Sequence, residues 1–513
     1  MSKVAKMTIT LIIATAIAKV LGFGRELVLA SYYGASMYSD AYLIAMNIPS
    51  VIFNIIGMTL GTVLIPMYFE VNNSLGEKES LKFINNVFNI VIVACIIIAL
   101  LGFIFTEQLV KLFAIGFKGE VLKIATDFSR VAILGIVFTG ASYVITAYLH
   151  IKNNFTIPGL ITVPKNILII ISIIFSIKYN PYIMIWGTLL GIATELLFQL
   201  PFAIRSGYKY SLCINIKDKY IKKMSYLIVP VLIGVAVNQV NSMVDRSLAS
   251  TLVEGSISAL NYANRLNGFV MGLFITSICS VIYPMLSKIS NYDNEKKFTE
   301  SIVKSINSVI LLVMPISIGA IVLSNPIVKL LFQRGEFDER ATYMTSIALI
   351  MYSIGMVAFG LREVLAKVFY SLKDTKTPMI NAGIAMGMNI LLNIILVKQL
   401  QLAGLALATS LSGIICIFLL FISLKNKIGY FGQNKILRTS IKSMISALTM
   451  GGITYISYKL LGNSLGVGII METLSLTISI IIGMITYGVL VIILKVDEVN
   501  TIIEIIKTRL NRS

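Results

Sequence analysis

The sequence predicts an all-α polytopic membrane protein. It is expected to have fourteen transmembrane helices, in two pseudo-symmetric six-helix lobes followed by two C-terminal helices. Three observations predict this. First, 57% of the 513 residues are hydrophobic and only 13% are charged, against about 25% charged in a soluble domain. Disorder is excluded by the same figures, since it needs few apolar residues and many charges. Second, the apolar residues come in continuous runs, not with the period of two that a membrane β-barrel requires. A spanning helix needs about 20 mostly apolar residues, and the runs are that long. Third, the chain repeats itself.

The apolar windows of the first half lie near residues 7–32, 41–69, 82–106, 121–150, 155–177 and 182–204. Those of the second half lie near 224–250, 258–287, 301–323, 342–371, 377–397 and 403–424, and two more follow at 438–459 and 466–494. The first window is expected to be a retained span. It carries Lys19, Arg25 and Glu26 and has no convincing small-residue cleavage site. Lysine and arginine gather on one side of these windows, about 25 against about 8 on the other, and cytoplasmic loops collect such residues. Lys507, Arg509 and Arg512 of the tail contribute to that count. Both termini are therefore expected in the cytoplasm. The net charge of +19 then needs no nucleic acid to explain it.

Cysteine and histidine usage removes several chemistries. Cys95, Cys213, Cys279 and Cys416 form no CxxC pair, and His150 is the only histidine. A disulfide framework or thiolate metal site is not expected, nor are His-rich zinc sites or haem held by a His pair.

The repeat pairs the stretch beginning at Asp40 with the one beginning at Ser258. Aligning Pro66 with Pro284 sets an offset of 218. Nearly the same offset pairs YLHIKNNFTIP at Tyr148 with FYSLKDTKTP at Tyr370. Six windows separate the halves, so both enter the membrane the same way, as parallel repeats. The expected division is an N-lobe over 1–204, a basic linker over 205–223, a C-lobe over 224–424, and the last two spans with a cytoplasmic tail over 425–513. The linker could form an amphipathic surface helix on anionic lipid. Two lobes around a central cleft suit alternating access.

Ionisable residues inside spans are costly and usually face a cavity or a partner. Lys19, Gly22 and Glu26 share one helical face, with Arg25 within a turn of it. Asp40 opens the second window. Arg265 lies in the eighth, where the repeat makes it the counterpart of Asn47. Lys19, Arg25 and Arg265 would give a cationic cavity, and arginine's planar fork of donors fits phosphate. The alternative is internal pairing, of Arg25 with Asp40 or with Glu26. Lys165, after Pro158 and Pro164, would line the cleft or reach toward the interface. Glu195 and Glu472 stand alone in their windows. Asp245, Asn389, Asn393 and Thr409 offer hard oxygen donors of the kind a small alkali cation takes. Hydrogen bonding between helices is the alternative for that set.

The chain resembles the MurJ (MviN) family of lipid II flippases, within the multidrug/oligosaccharidyl-lipid/polysaccharide exporter superfamily. The resemblance is carried by KVLGFGRELVLASYYG from Lys19, SDAYLIAMNIP from Ser39 and LIPMY from Leu64. In the second half it rests on NYANRLNGF from Asn261, LFQRGEFDERAT from Leu331 and VFYSLKDTKTP from Val368. It implies a non-enzymatic transporter in the bacterial inner membrane. Such a transporter moves the undecaprenyl-pyrophosphate-linked peptidoglycan precursor from the inner to the outer leaflet. Membrane lipids and peptidoglycan-synthesis proteins are the implied partners. The family's cavity arginines fall on Arg25 and Arg265, with Lys19 replacing a third; its acidic positions fall on Glu26 and Asp40. A further family arginine falls on Phe53 and a family glutamate on Gly268, so both contacts are missing. The family's sodium site falls on Asp245, Asn389, Asn393 and Thr409, with Asn393 where a described member is acidic, so sodium is the expected ion. The competing readings are an exporter of another polyprenyl-linked glycan and a non-transporting envelope scaffold. A glycosyltransferase would need a DxD motif and a large extramembrane loop, and the sequence has neither.

Overall fold

The computed structural model describes residues 3–289, 295–466 and 468–498. The tail lysine and arginines counted above, Lys507, Arg509 and Arg512, lie outside the described residues. All the regular structure described is helical. The first helices are α1 (Lys3–Tyr33), α2 (Met37–Leu75), α3 (Glu77–Ile104), α4 (Thr106–Phe113) and α5 (Gly119–Ile151). They are followed by α6 (Thr156–Leu160), α7 (Thr162–Lys178), α8 (Tyr182–Arg205) and α9 (Lys219–Ala249). Next come α10 (Ser256–Val270), a π-turn at Met271–Ile275, α11 (Thr276–Ile289), α12 (Glu295–Val322) and α13 (Ser324–Phe332). The chain closes with α14 (Glu339–Ile354), α15 (Met356–Ser371), α16 (Lys376–Ile428), α17 (Gln433–Leu465) and α18 (Ile469–Ile493).

Each apolar window falls on one of these helices or on a broken pair of them. The windows at 377–397 and 403–424 both fall within α16, which is interrupted at Gln401 (φ 49°). By length and composition, eight helical segments among the described residues can cross a membrane, or nine if the bent pair α14–α15 is one span. The sequence led to an expectation of fourteen. Two of the expected spans, 377–397 and 403–424, share the single helix α16.

The chain forms two compact units. One comprises Met1–Ser258 and Arg334–Phe337; the other comprises Ala259–Gln333 and Asp338–Ser513. The first unit thus continues beyond the linker and takes in α9. Its core is built on Leu64 and Met67 of α2, Ile84 of α3, and Val144 and Tyr148 of α5. The second unit buries Ile302, Ile306 and Val313 of α12 against Val364 and Phe369 of α15 and Leu424 of α16. Val93, Ile97, Leu100 and Ile104 on α3 are exposed, as a lipid-facing surface requires.

The linker is not a surface helix. Its middle is an extended strap held against α3 by three buried asparagines. Asn85 donates to the Lys209 carbonyl (2.8 Å), and Asn89 donates to the carbonyls of Ser211 (3.2 Å) and Cys213 (3.1 Å). Asn86 donates to the Asn215 carbonyl (3.0 Å) and accepts from its N–H (2.8 Å). These amides satisfy the backbone groups that a helix would have satisfied internally. Helix α9 starts only after Asp218, whose carboxylate accepts from the N–H groups of Tyr220 and Ile221.

The repeat is visible in local geometry. The break between α3 and α4 at Phe105 (φ −97°, ψ 22°) recurs between α12 and α13 at Leu323 (φ −103°, ψ 17°), 218 residues later. The turn after α5 recurs after α15. Asn153 (φ 59°) and Lys373 (φ 58°) both take the left-handed region. Asn154 N–H bonds the Leu149 carbonyl, as Asp374 N–H bonds that of Phe369. In each turn a side-chain oxygen then accepts from the start of the next helix, Asn154 from Ile157 (3.3 Å) and Asp374 from Thr377 (3.0 Å).

Asp374 goes further than its counterpart. It also accepts from Lys427 and the Thr377 hydroxyl. The Lys427 ammonium, with the Thr377 amide, holds this loop carboxyl well below the usual carboxylate range. A depressed folded value stabilises the native state fully above the unfolded pKa of about 3.9. That stabilisation fades as pH falls through the folded value. Asp374→Asn should therefore lower the melting temperature at pH 7 more than at pH 3. Equal losses at both pH values would show that the charge of Asp374 contributes nothing.

A second pair of matched contacts involves glycines within the first unit. Gly116 N–H donates to Ser250 Oγ (2.9 Å), and a Cβ at Gly116 would sit 2.1 Å from the Ser250 carbonyl oxygen. The equivalent pair is Gly335 and Ser31, where a Cβ would sit 2.2 Å from the Ser31 oxygen. Glu336 N–H donates to that same oxygen (2.8 Å).

Candidate functional site

Lys19 and Arg25 are six residues apart on α1, and both line one cavity of about 420 Å³ with residues of α6 and α7. Pro158 lies in α6 and Pro164 in the first turn of α7. Each lacks an N–H, which suits helix starts, and Ile161 between α6 and α7 keeps helical angles (φ −57°, ψ −30°). Lys165 and Asn166 lie alongside α1. Arg25 donates to Glu26 Oε1 (2.7 Å) and to Asn166 Oδ1 (3.3 Å). Of the two internal pairings open to Arg25, the one with Glu26 is therefore formed. Glu26 is 3% exposed. Lys19 is exposed and has no hydrogen-bond or ion partner among the described residues.

Asp40 does not line that cavity. Its carboxylate, 4% exposed, accepts from the N–H groups of Gly255 and Ser258 (both 2.8 Å) and from the Ser258 hydroxyl (2.5 Å). Those amides open α10, so Asp40 caps α10 from a different helix. Asp40 and Ser258 are also repeat counterparts, 218 apart.

Arg265 is exposed on α10, in the second unit. Its neighbours Asn264 and Asn267 line a cavity of about 790 Å³, together with Arg362, Glu363, Lys367 and Thr409. Gly268, where the family has a glutamate, lines it too. The proposed ion ligands divide between the units: half-buried Asp245 in the first, and Asn389, Asn393 and Thr409 in the second. Asn393 donates to Asn389 Oδ1 (3.0 Å), and the Thr409 hydroxyl donates to the Leu405 carbonyl (3.0 Å). All the side chains of this set offer oxygen donors, which suits a hard alkali cation, although one amide oxygen already accepts from its neighbour. Arg246 donates to the Leu43 carbonyl (3.2 Å).

The two lone acids are paired. Glu195 accepts from Lys165 (3.0 Å) and Glu472 from Lys329 (2.6 Å). Lys165, expected from the sequence to line the cleft or reach toward the interface, lies in one cavity with Lys19 and Arg25.

Comparison with known proteins follows the same lines. The family model described as "Lipid II flippase MurJ" matches residues 29–493. A probable lipid II flippase MurJ of Buchnera aphidicola subsp. Baizongia pistaciae is 30% identical over 464 residues, covering 89% of this chain and 90% of that one. Its counterpart in Vibrio cholerae is 29% identical over 498 residues, 94% of each chain. A solved structure, "Lipid II flippase MurJ, inward closed conformation", superposes with a TM-score of 0.80 at 29% identity, covering 94% of this chain and 99% of that one. An inward-facing multidrug transporter of the MATE family has a TM-score of 0.67 at 14% identity, covering 81% of this chain and 95% of that one. This second likeness speaks to the fold alone. The polytopic helical fold, the cationic pocket on α1 and these matches agree, and the chain belongs to the MurJ lipid II flippase family.

Proposed function

We propose that this chain translocates lipid II, a polyprenyl-pyrophosphate-linked peptidoglycan precursor, across the inner membrane by alternating access. The observation that carries the reading is the pocket on α1. A partnerless Lys19 and a half-engaged Arg25 line one cavity on an apolar helix, and an unused cation within a span is costly. Arg25 is oriented by Glu26 and Asn166, which leaves part of its fork free for phosphate oxygens. In this proposal Arg265 supplies the cation of the second unit. The headgroup enters from the cytoplasm, the side on which the charge bias places both termini. The prenyl chain stays in lipid, along α17 and α18.

Sodium is our proposed coupling ion, held by Asp245, Asn389, Asn393 and Thr409. The all-oxygen donor set supports it. When bound, the ion would supply positive charge to these oxygens and so bias one conformation over another.

The test is complementation. A bacterial strain depleted of its own flippase is given this gene, and lipid II exposed on the outer face is measured with a non-permeant lipid II-cleaving enzyme. Restored growth with restored cleavage is expected. Lipid II that stays protected while the chain is abundant in the membrane would overturn the proposal.

A further inference from the structure

We infer that Lys165 is a third phosphate-positioning cation of the α1 pocket, held by Glu195 until an anionic diphosphate displaces that carboxylate. The inference rests on the lipid II reading and extends it to a residue with no assigned role.

Lys165 lines the same cavity as Lys19 and Arg25. Its Nζ lies 3.0 Å from Glu195 Oε1, with side-chain exposures of 22% for the lysine and 9% for the acid. The two internal ion pairs differ in kind. Glu26 follows Arg25 directly, and its carboxylate lies 2.7 Å from the guanidinium. Arg25 is also tied to Asn166, so its head is fixed from two sides. Lys165 is a compact ammonium on a flexible four-carbon stem, with three rotatable donors. Its side chain bonds an acid on another helix, α8.

Charge balance then selects the residue that moves. The pocket and its two carboxylates leave a surplus of a single positive charge, that of Lys19. A diphosphate diester has an ionised oxygen on each phosphorus, so Lys19 alone leaves one of them uncompensated. An uncompensated charge within a span is costly. Rotation of Lys165 from Glu195 toward the cavity leaves the pocket's net charge unchanged but brings a second cation against the diphosphate, a gain set against the loss of the Lys165–Glu195 pair. A monophosphate carries its charge of about −1.5 to −2 on a single phosphorus, within reach of Lys19 and Arg25, and has less need of a cation placed further along the pocket. Lys165 would thus help distinguish a diphosphate-linked lipid from its monophosphate.

The test uses the full-length protein in lipid nanodiscs. Binding of lipid II, polyprenyl diphosphate and polyprenyl monophosphate is compared for the wild type, Lys165→Gln, Lys165→Arg and Arg25→Ala. Lys165→Gln should weaken both diphosphates by about tenfold or more and the monophosphate by much less; Lys165→Arg should bind nearly as the wild type. The double variant Lys165→Glu/Glu195→Lys restores an ion pair but leaves no cation facing the pocket. It should recover the melting temperature of the wild type without recovering diphosphate binding. Recovery of both would make Lys165 a structural residue and overturn the inference. Wild-type affinity in Lys165→Gln, with affinity lost in Arg25→Ala, would overturn it too while leaving the lipid II reading intact. Unchanged binding in Arg25→Ala as well would overturn both.

Discussion

Replacing Arg25 by alanine abolishes translocation while the chain still inserts in the membrane: this is the largest functional effect expected. The substitution removes the planar fork from the α1 pocket and takes from Glu26 a partner at 2.7 Å. Glu26 is almost fully buried, and removing one member of a buried ion pair costs about 3–5 kcal/mol. The lost cation and the exposed need of Glu26 act together. Arg25→Lys keeps the charge and loses the fork, so it should recover only part of the activity. Arg265→Ala should also stop transport. Because Arg265 is exposed on α10, its loss should leave the melting temperature nearly unchanged. The measurements are lipid II cleavage from outside in the complemented strain and chain abundance in the membrane fraction. Full activity of both alanine variants would remove the cationic pocket from the mechanism.

Replacing Asp40 by alanine should produce the largest loss of stability. One buried carboxylate satisfies two backbone amides and one hydroxyl at the start of α10. Without it those amides are buried donors with nothing to bond, at about 1–3 kcal/mol each. The negative charge at the helix N-terminus is lost as well. A fall of several degrees in the melting temperature of the purified protein is expected. Asp40→Asn keeps one acceptor oxygen and should fall between alanine and the wild type. Ser258→Ala, which removes only the hydroxyl, should cost the least. A wild-type melting temperature for Asp40→Ala would mean that the cap carries no energy.

These two residues mark how far the sequence could be read. Lipid imposes its demand on every residue of a span, so the windows were legible from composition, and each fell on helix. The pairing of Arg25 with Glu26 was also within reach, because the two are neighbours on one helix. The partner of Asp40 was not, since Ser258 is brought to it only by tertiary folding. The pairing of Lys165 with Glu195 was hidden in the same way. The linker failed for a more local reason. Its alternating apolar residues and its lysines suit a membrane surface, but its backbone is satisfied by Asn85, Asn86 and Asn89. Three asparagines at the end of an otherwise apolar window were the available sign that something polar lies against it.

The close approach of Gly116 to Ser250 has a consequence for experiments on the transport cycle. A methyl group at residue 116 cannot be accommodated while the Ser250 carbonyl is where it is, yet it costs nothing in any arrangement that parts the two loops. A graded series of side chains there acts as a wedge of adjustable thickness. It raises the free energy of the present arrangement alone and hands population to whatever competes with it. Each factor of ten in that ratio requires about 1.4 kcal/mol, so even a small wedge would be read as a change in turnover. Gly335 offers the same contact in the other half of the repeat, but its φ of +60° would add backbone strain to the wedge. Gly116 is therefore a position at which side chains of increasing size test whether turnover requires these two loops to part.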